Sequence, residues 1–167
     1  MQHNKKIIIN TGLDDFVLID DISDIGVKHI SGSKHFVCAP SYLGIESLAQ
    51  LGAYHVRFLT SFERHAFLLK INRCEVSVQD LLGGMCFLYG TLTKKSDAAF
   101  AYDLLVETEH TILIEGEFLF GTIEYNATLK KKVLQNHYRK VFSCLWNDIK
   151  TGCCCKNRPV CTEILLK

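Results

Sequence analysis

The feature that most constrains the fold is an apolar stretch at residues 42–56, in which Glu46 is the only side chain with a full charge at neutral pH. Ser41 comes directly before it, and serine is a favoured residue at helix N-caps. A helix that is apolar nearly all round is buried rather than laid on a surface. Two glycines in the stretch weaken its helix propensity, but they would allow a sheet to approach closely. The sequence therefore predicts a long buried helix over 41–59.

The pattern after this helix is that of β-strands. Apolar and polar side chains alternate along 100–107 and 112–120, as in strands that bury one face. Turn-forming residues separate such runs at short intervals, which is typical of an antiparallel meander. The predicted strands cover residues 67–78, 84–93, 99–108 and 111–122. Before the helix, a weaker pattern predicts short strands at 16–20 and 25–30, followed by a loop at 31–35.

A buried helix followed by a strongly curved antiparallel sheet is the plan of the hotdog fold. This is an α+β fold in which the sheet wraps a long, central, apolar helix. The same pattern also allows another α+β arrangement, with the helix on one face of an open sheet. The clear periodicity ends near residue 127, and three consecutive lysines follow at 130–132. We therefore expect a hotdog domain at 1–127 and a basic, cysteine-rich C-terminal extension at 128–167, partly helical or flexible.

Composition and charge exclude several classes of protein. The 167 residues suit one domain, and 48% hydrophobic with 22% charged residues is an ordinary globular balance. A formal net charge of +1 gives no strong attraction to nucleic acid or to an anionic membrane. No apolar run reaches the roughly 18–20 residues that span a bilayer, and the one at 7–9 is too short for a signal peptide. We expect a cytoplasmic protein without a membrane span.

The cysteines fall into two groups. Cys38, Cys74 and Cys86 stand singly in apolar segments, where a thiol behaves as a small hydrophobe. The other five of the eight are crowded near the C-terminus, at Cys144, Cys153, Cys154, Cys155 and Cys161. Reduced thiols are expected, and three adjacent cysteines cannot all ligate one ion without strain. We predict no metal site; a site that uses His137 with two of the tail cysteines, or acylation of the adjacent cysteines, are the alternatives.

A family resemblance is carried by residues 35–50. His35 and Phe36, then Pro40, and then Glu-Ser-Leu-Ala-Gln at 46–50 resemble the 3-hydroxyacyl-[acyl-carrier-protein] dehydratases of fatty-acid synthesis. The sequence Phe-Val-Leu-Ile-Asp at 16–20 is similar to a segment near the N-terminus of that family. The aryl-polyene-type branch fits more closely, because 40–46 reads Pro-Ser-Tyr-Leu-Gly-Ile-Glu and Ala-Phe-Leu-Leu follows downstream. The resemblance extends over about 7–125 and leaves the C-terminal extension outside it.

The resemblance implies a hotdog hydro-lyase that removes water from a β-hydroxyacyl thioester and gives the 2-enoyl thioester. It implies His35 as the base and Glu46 as the acid, contributed by different subunits of a homodimer. Tyr42 and Leu43 at the helix start, and Gln50 one turn beyond Glu46, would contact the substrate. That substrate would be a thioester of acyl carrier protein or of coenzyme A. No cofactor is implied.

The chemistry of dehydration explains these residue types. Removal of the C2 proton needs a base that is neutral near pH 7, which a histidine provides. Departure of the C3 hydroxyl needs an acid that stays protonated. A carboxyl in apolar surroundings can do so, because desolvation disfavours its charged form. Charge gathers on the thioester oxygen as the enolate forms, and free N–H groups at the helix start near Tyr42 and Leu43 would stabilise it.

Each assignment has a structural alternative. His35, beside Lys34, is also consistent with a solvated loop residue, and Glu46 with a carboxylate that complements the helix dipole. Gln50 would equally serve to bond a backbone group, and His55 and Tyr54 suit the core or its rim. Arg57, Arg64 and Lys70 would either receive the phosphate of a pantetheine arm or form a solvated basic face.

Two other functions remain open. One is an acyl thioesterase, since a fold does not determine the reaction. The other is a non-catalytic subunit that binds acyl groups or a carrier protein. It is suggested by Gly32, which stands at the family's histidine position when the sequences are aligned without a gap from Glu46, and by Thr-Gly at 11–12, where the family has Pro-His.

Overall fold

The computed structural model describes residues 16–77, 81–109 and 111–147. In chain order the elements are β1 (Asp21–Ile25), β2 (His29–Pro40), α1 (Ser41–Leu59), β3 (Arg64–Val76), β4 (Leu81–Lys95), β5 (Ala99–Glu107), β6 (Ile112–Glu124) and α2 (Lys131–Asn147). The predictions for the cysteines at 153–155 and 161 lie outside the described residues.

The strands form an open antiparallel sheet of six strands in the order β1-β2-β4-β5-β6-β3. Helix α1 contacts five of them, β2 to β6. The class predicted from the sequence, α+β with an antiparallel sheet, is confirmed. The four strands predicted after the helix correspond to β3, β4, β5 and β6, with ends that differ by a few residues.

Helix α1 has the bounds that the sequence predicts, although its cap differs. Pro40 occupies the N-cap without a side-chain hydrogen bond, so Ser41 is the first helical residue rather than the cap. The two glycines allow close packing on β6. A Cβ atom at Gly52 would lie 2.4 Å from the Phe120 ring, and one at Gly44 would lie 2.5 Å from Cδ1 of Ile114. The helix meets the sheet at a distance that larger side chains would prevent.

A helix that is apolar nearly all round is not confirmed. Its buried residues include Ser47, His55 and Arg57, whereas Tyr42 is 65% exposed. The two larger polar side chains are tolerated inside because each has hydrogen-bond partners or aromatic neighbours there. Polar side chains are therefore buried on a helix whose sequence predicts an almost entirely apolar core element.

The predictions before the helix were wrong. Residues 16–20 are not a strand, and the loop predicted at 31–35 lies within the 12-residue strand β2. Its polar residues have partners that only the paired strands provide, since the Ser33 hydroxyl donates to Asp21 and the Lys34 ammonium lies 2.8 Å from Asp20. Cross-strand partners of this kind stabilise a strand whose own composition is typical of a loop.

Helix α2 lies against the rest of the molecule and contacts β1. Leu145 belongs to the main hydrophobic core with 5% exposure, and Tyr138, Val141 and Phe142 pack against that core. Within the described part of the chain, the extension is therefore helical and packed. The domain boundary at residue 127 remains a prediction.

Cys38, Cys74 and Cys86 are free thiols. Cys86 is fully buried, and its burial raises the pKa of the thiol, as expected of a small hydrophobe. Cys38 is exposed and has a φ of 47°, at a register shift of β2 between Phe36 and Ala39. The prediction of a core thiol was wrong for Cys38, because this irregularity turns it out of the sheet.

Candidate functional site

A cavity of about 340 Å³ lies beside α1, between that helix, β3, α2 and the segment that precedes β1. Its size is within the range of small-molecule sites. One stripe of α1 forms a wall of it, at spacings of three, four and seven residues that bring side chains to one helix face. The stripe consists of Glu46, Ala49, Gln50, Ala53, Tyr54 and Arg57.

Glu46 and Gln50 lie at one end of this stripe and are bonded to each other. The Gln50 amide donates to Glu46 Oε1 at 3.1 Å and to the Phe16 carbonyl at 3.1 Å, and its oxygen accepts from the Leu18 backbone N–H at 2.9 Å. Gln50 thus does satisfy backbone groups, and it also holds the Glu46 carboxyl at the cavity wall. Phe16, which is bonded to Gln50, lines the cavity at this end, and Phe67 of β3 is also a cavity residue.

Arg57 lies at the other end of the stripe and is only 7% exposed. It donates from Nη2 to the Ala66 carbonyl at 2.8 Å, and its guanidinium lies 3.8 Å from the centre of the Tyr138 ring. Burial lowers its pKa from the ordinary value, yet a guanidinium remains charged at neutral pH. The expected solvated basic face was wrong for Arg57, because packing between α1, β3 and α2 encloses it.

His65 is the histidine that β3 places on the cavity wall. Burial, and to a lesser extent the charge of Arg57, lower the pKa of this imidazole. Among the described residues its Nδ1 atom is buried and has no hydrogen-bond partner. A neutral imidazole with an unpaired nitrogen in a cavity is able to accept a proton there.

The structure places His35 elsewhere. Its side chain is exposed on β2, its backbone N–H donates to Asp20 at 2.7 Å, and it is not a cavity residue in this chain. Tyr42 and Leu43 begin α1 outside the cavity lining, with Leu43 packed on the core. Of the five residues assigned from the sequence, Glu46 and Gln50 are brought together within the chain. The roles of all five remain predictions.

Exposed apolar side chains lie on β2 and β4 near His35. Val37 follows it closely on β2 and is 76% exposed. Met85 lies opposite His35 in the strand register, and Leu81 lies opposite Pro40; both are exposed. Exposed apolar residues grouped in this way are typical of a surface that a partner covers.

Two other histidines have structural partners. His55 is fully buried, with Nε2 2.8 Å from the Gly26 carbonyl and Nδ1 2.8 Å from the Tyr102 hydroxyl. Burial is the main cause that lowers its pKa, so it is a neutral core residue, in agreement with one of its two predicted placements. His29 is exposed and lies 2.8 Å from Asp24.

Sequence reasoning did not identify Arg57, His65 and Tyr138 as members of one site. A signal existed for Arg57, since it continues the stripe of Glu46, Gln50 and Ala53 at helical spacing. No local pattern marks His65 or Tyr138, because their positions depend on how β3 and α2 pack against α1.

Across 16–77, 81–109 and 111–147, no three potential ligands are grouped as a metal site would require. Neither described helix combines the length and hydrophobicity needed to cross a membrane.

Solved structures of several other proteins are similar to this chain in fold. The dehydratase heterocomplex ApeI:P from Xenorhabdus doucetiae matches with a TM-score of 0.56 and 14% identity, over 71% of this chain and 89% of that one. A thioesterase from Haemophilus influenzae matches with a TM-score of 0.53 and 12% identity, over 62% and 77%. A Streptococcus mutans protein bound to acetyl coenzyme A gives 0.53 and 12%, over 62% and 88%.

These similar structures are hotdog proteins. The chain has the hotdog fold. At such low identities the likeness extends to the fold and not to the reaction, since one fold hosts several activities. No protein-family model matches the sequence, and no curated protein matches it significantly.

Proposed function

We propose that this hotdog protein acts on acyl thioesters, and that its reaction is the dehydration of a 3-hydroxyacyl thioester. The observation that carries the proposal is Glu46 on the wall of an otherwise largely apolar cavity, held there by Gln50. A fixed carboxyl beside apolar space suits a substrate with an acyl chain and one reacting polar group. The structural likeness to a dehydratase complex is consistent with this reaction.

In the proposed reaction an imidazole takes the C2 proton, and the electron pair of that C–H bond forms the C2–C3 double bond. The C3–O bond breaks, and the hydroxyl leaves as water with the proton of Glu46. The thioester oxygen, which carries charge during this step, would lie at the free N–H groups that begin α1. The imidazolium then returns its proton to the carboxylate through solvent, which restores both groups.

The base is His35 of a second copy of the chain. The exposed Val37, Met85 and Leu81 near His35 support a homodimer, because covering them would remove apolar surface from water. In such a dimer each cavity would take its acid from one subunit and its base from the other. His65, which already lies in the same cavity as Glu46, is the alternative base. The thioester carrier is acyl carrier protein or coenzyme A.

Thioester hydrolysis is the second candidate. The side-chain partner of Glu46 is the amide of Gln50. A carboxylate in that setting is able to activate water against a thioester carbon without an imidazole. Several of the structurally similar proteins are described as thioesterases.

Glu46→Gln is the variant that tests the proposal. The amide keeps the size and hydrogen bonding of the side chain but has no proton to give, so we expect a loss of about 10²–10⁴-fold in rate. Hydration of a 2-enoyl thioester, dehydration of the 3-hydroxy thioester and release of free thiol are measured in parallel, with carrier-protein and coenzyme A substrates. Glu75→Gln, on the exposed part of β3, is the matched control and should retain full activity.

The outcomes separate the candidates. Thiol release without hydration would favour the thioesterase, and tight binding without either reaction would favour the non-catalytic subunit. His35→Ala and His65→Ala identify the base, since only one of them should be as slow as Glu46→Gln. If the base comes from the partner subunit, mixing Glu46→Gln with His35→Ala should restore about a quarter of the sites, through heterodimers that contain one intact pair.

A further inference from the structure

Arg57 is a buried charge for which the described residues supply no countercharge. Its contacts are the Ala66 carbonyl, the rings of Tyr54 and Tyr138, and a side-chain hydrogen bond with Tyr138, and none of these supplies a carboxylate. No described carboxylate lies within salt-bridge distance of it, and its Nε atom is buried without a hydrogen-bond partner in the described part. Buried charges are normally paired.

Part of the role of Arg57 is structural. The bond to Ala66 ties α1 to β3, and a cation in the last turn of α1 is favoured by the helix dipole. The two aromatic rings add cation–π attraction. These contacts use one of five N–H donors in a recorded bond to a carbonyl, and they neutralise none of the charge. An anion in the cavity that Arg57 lines would supply both a countercharge and acceptors for the remaining N–H groups.

The position of Arg57 within the cavity indicates which part of a ligand would reach it. Glu46 and Arg57 line the same cavity from one face of α1 and are separated by about 16 Å along the helix axis. Between Glu46 and Arg57 on this helix face, Ala49 and Ala53 line the cavity, and Phe67 lines it from β3. A ligand that fits this arrangement has an uncharged reacting group near Glu46, an apolar middle, and a negative group at the Arg57 end.

We propose that Arg57 forms an oxyanion subsite, and that the ligand is an acyl chain whose far end carries a carboxylate. This proposal rests on the proposed function for the thioester end of the ligand; the subsite itself depends only on Arg57 and the cavity. A phosphate of a pantetheine arm has the same oxyanion chemistry. The apolar lining between the two ends favours methylene groups, and therefore the carboxylate.

Binding of small probes tests the subsite without any turnover. Decanoate and decanamide have the same length and differ in the charge of one end. Calorimetry on the wild-type protein should show decanoate binding about 10- to 100-fold more tightly, as for a hydrogen bond to a charged group. Arg57→Met should abolish that preference and Arg57→Lys should retain part of it. Arg73→Met, on the exposed part of β3, is the control and should leave it unchanged.

Two further probe pairs identify the source of the oxyanion. The N-acetylcysteamine thioesters of octanedioate and octanoate differ only in the distal carboxylate, and phosphopantetheine and pantetheine differ only in the phosphate. A preference for the octanedioyl thioester that disappears in Arg57→Met supports the carboxylate. An Arg57-dependent preference for the phosphate alone supports the subsite and overturns the acyl-chain assignment.

Failure of this proposal is distinguishable from failure of the proposed function. Equal binding of decanoate and decanamide by the wild-type protein overturns the subsite, even if the Met variant does not fold. A decanoate preference that survives in Arg57→Met overturns it as well. Arg57-dependent binding of decanoate, together with no binding of any thioester, supports the subsite and contradicts the thioester function.

Discussion

The two sides of α1 differ in whether their buried polar groups have hydrogen-bond partners. Toward the sheet, both ring nitrogens of His55 are paired, and two glycines let β6 approach until a Cβ would collide with it. Toward the cavity, Arg57 Nε and His65 Nδ1 have no partner among the described residues. A core in which every buried polar group has a hydrogen-bond partner is rigid and well defined. Polar groups without a hydrogen-bond partner beside a cavity lower the stability of the fold, and they are available to bind a ligand.

Helix α2 is what completes the cavity side. Its residues His137 and Tyr138 line the cavity, and Phe142 packs against the rings of Tyr54 and Phe62. On the sheet side, strands β2 to β6 cover α1 themselves. The comparison therefore predicts that changes on the two sides should have separate consequences for stability and for binding.

The largest effect is expected from removing α2. Ending the chain after Lys132 removes the buried Leu145 with Tyr138 and Phe142, at a cost on the order of 4 kcal/mol, from about 1.5–3 kcal/mol for each fully buried side chain. We expect the sheet and α1 to keep a cooperative transition in urea, in line with the boundary at residue 127. Full loss of cooperativity would move that boundary to include α2. Within the full chain, Leu145→Ala should also lower the free energy of unfolding, by about 2–5 kcal/mol for a buried leucine. Val133→Ala, at an exposed position of the same helix, is its control and should change little.

The next effect distinguishes the two histidines. His55→Ala leaves the Gly26 carbonyl and the Tyr102 hydroxyl without their partner and opens a void, which should cost about 2–4 kcal/mol. His65→Ala removes a half-buried ring with an unpaired nitrogen and should cost about 1 kcal/mol or less. Free energies of unfolding from urea titrations measure both. Similar losses in the two variants would contradict the contrast between the two sides of α1.

The smallest effect is a loss of stability in acid. Burial lowers the pKa of His55 and of His65 below the ordinary 6.5. The unfolded chain therefore takes up protons below about pH 6.5 that the folded protein resists. Stability that is fully present above this pH is lost as the pH falls toward the lowered pKa values, by at most about 1.4 kcal/mol per pH unit for each proton.

The measurement for this prediction is the free energy of unfolding between pH 7.5 and pH 5. His55→Gln, which has no titrating ring, should show a shallower dependence than the wild-type protein. The exposed His35 provides the control, because it is not among the groups that shift the pKa of His55, so its substitution by glutamine should leave the contribution of His55 in place. A slope that is unchanged in His55→Gln would mean that other groups cause the acid sensitivity.

Part of the fold could be predicted because its signals are local. The bounds of α1 follow from a run of apolar residues after Pro40, and the strands after it follow from alternation and turn residues. The prediction failed at β2, where Ser33 and Lys34 are stable in a strand only because β1 and the residue before it supply partners. Composition at such positions is misleading, since tertiary pairing overrides local propensity.

The candidate site shows the same division. Glu46 stands out in the sequence as a single charge in an apolar helix, and its placement at a cavity agrees with that signal. Gln50 was open to two interpretations, and the structure shows that it bonds both the backbone and Glu46. For His35, the sequence gives a resemblance, and the role still depends on a second copy of the chain.

By itself, the sequence determined that a buried helix with one carboxylate lies against an antiparallel sheet, because periodicity and charge are properties of neighbouring residues. Only the tertiary structure decided which polar groups of that helix have hydrogen-bond partners in the protein and which do not. His55 meets Tyr102 from β5, whereas Arg57 meets Tyr138 from α2 and shares a cavity with His65 from β3. Contacts between distant segments set burial and hydrogen bonding, and these quantities fix whether a polar side chain serves the core or a ligand.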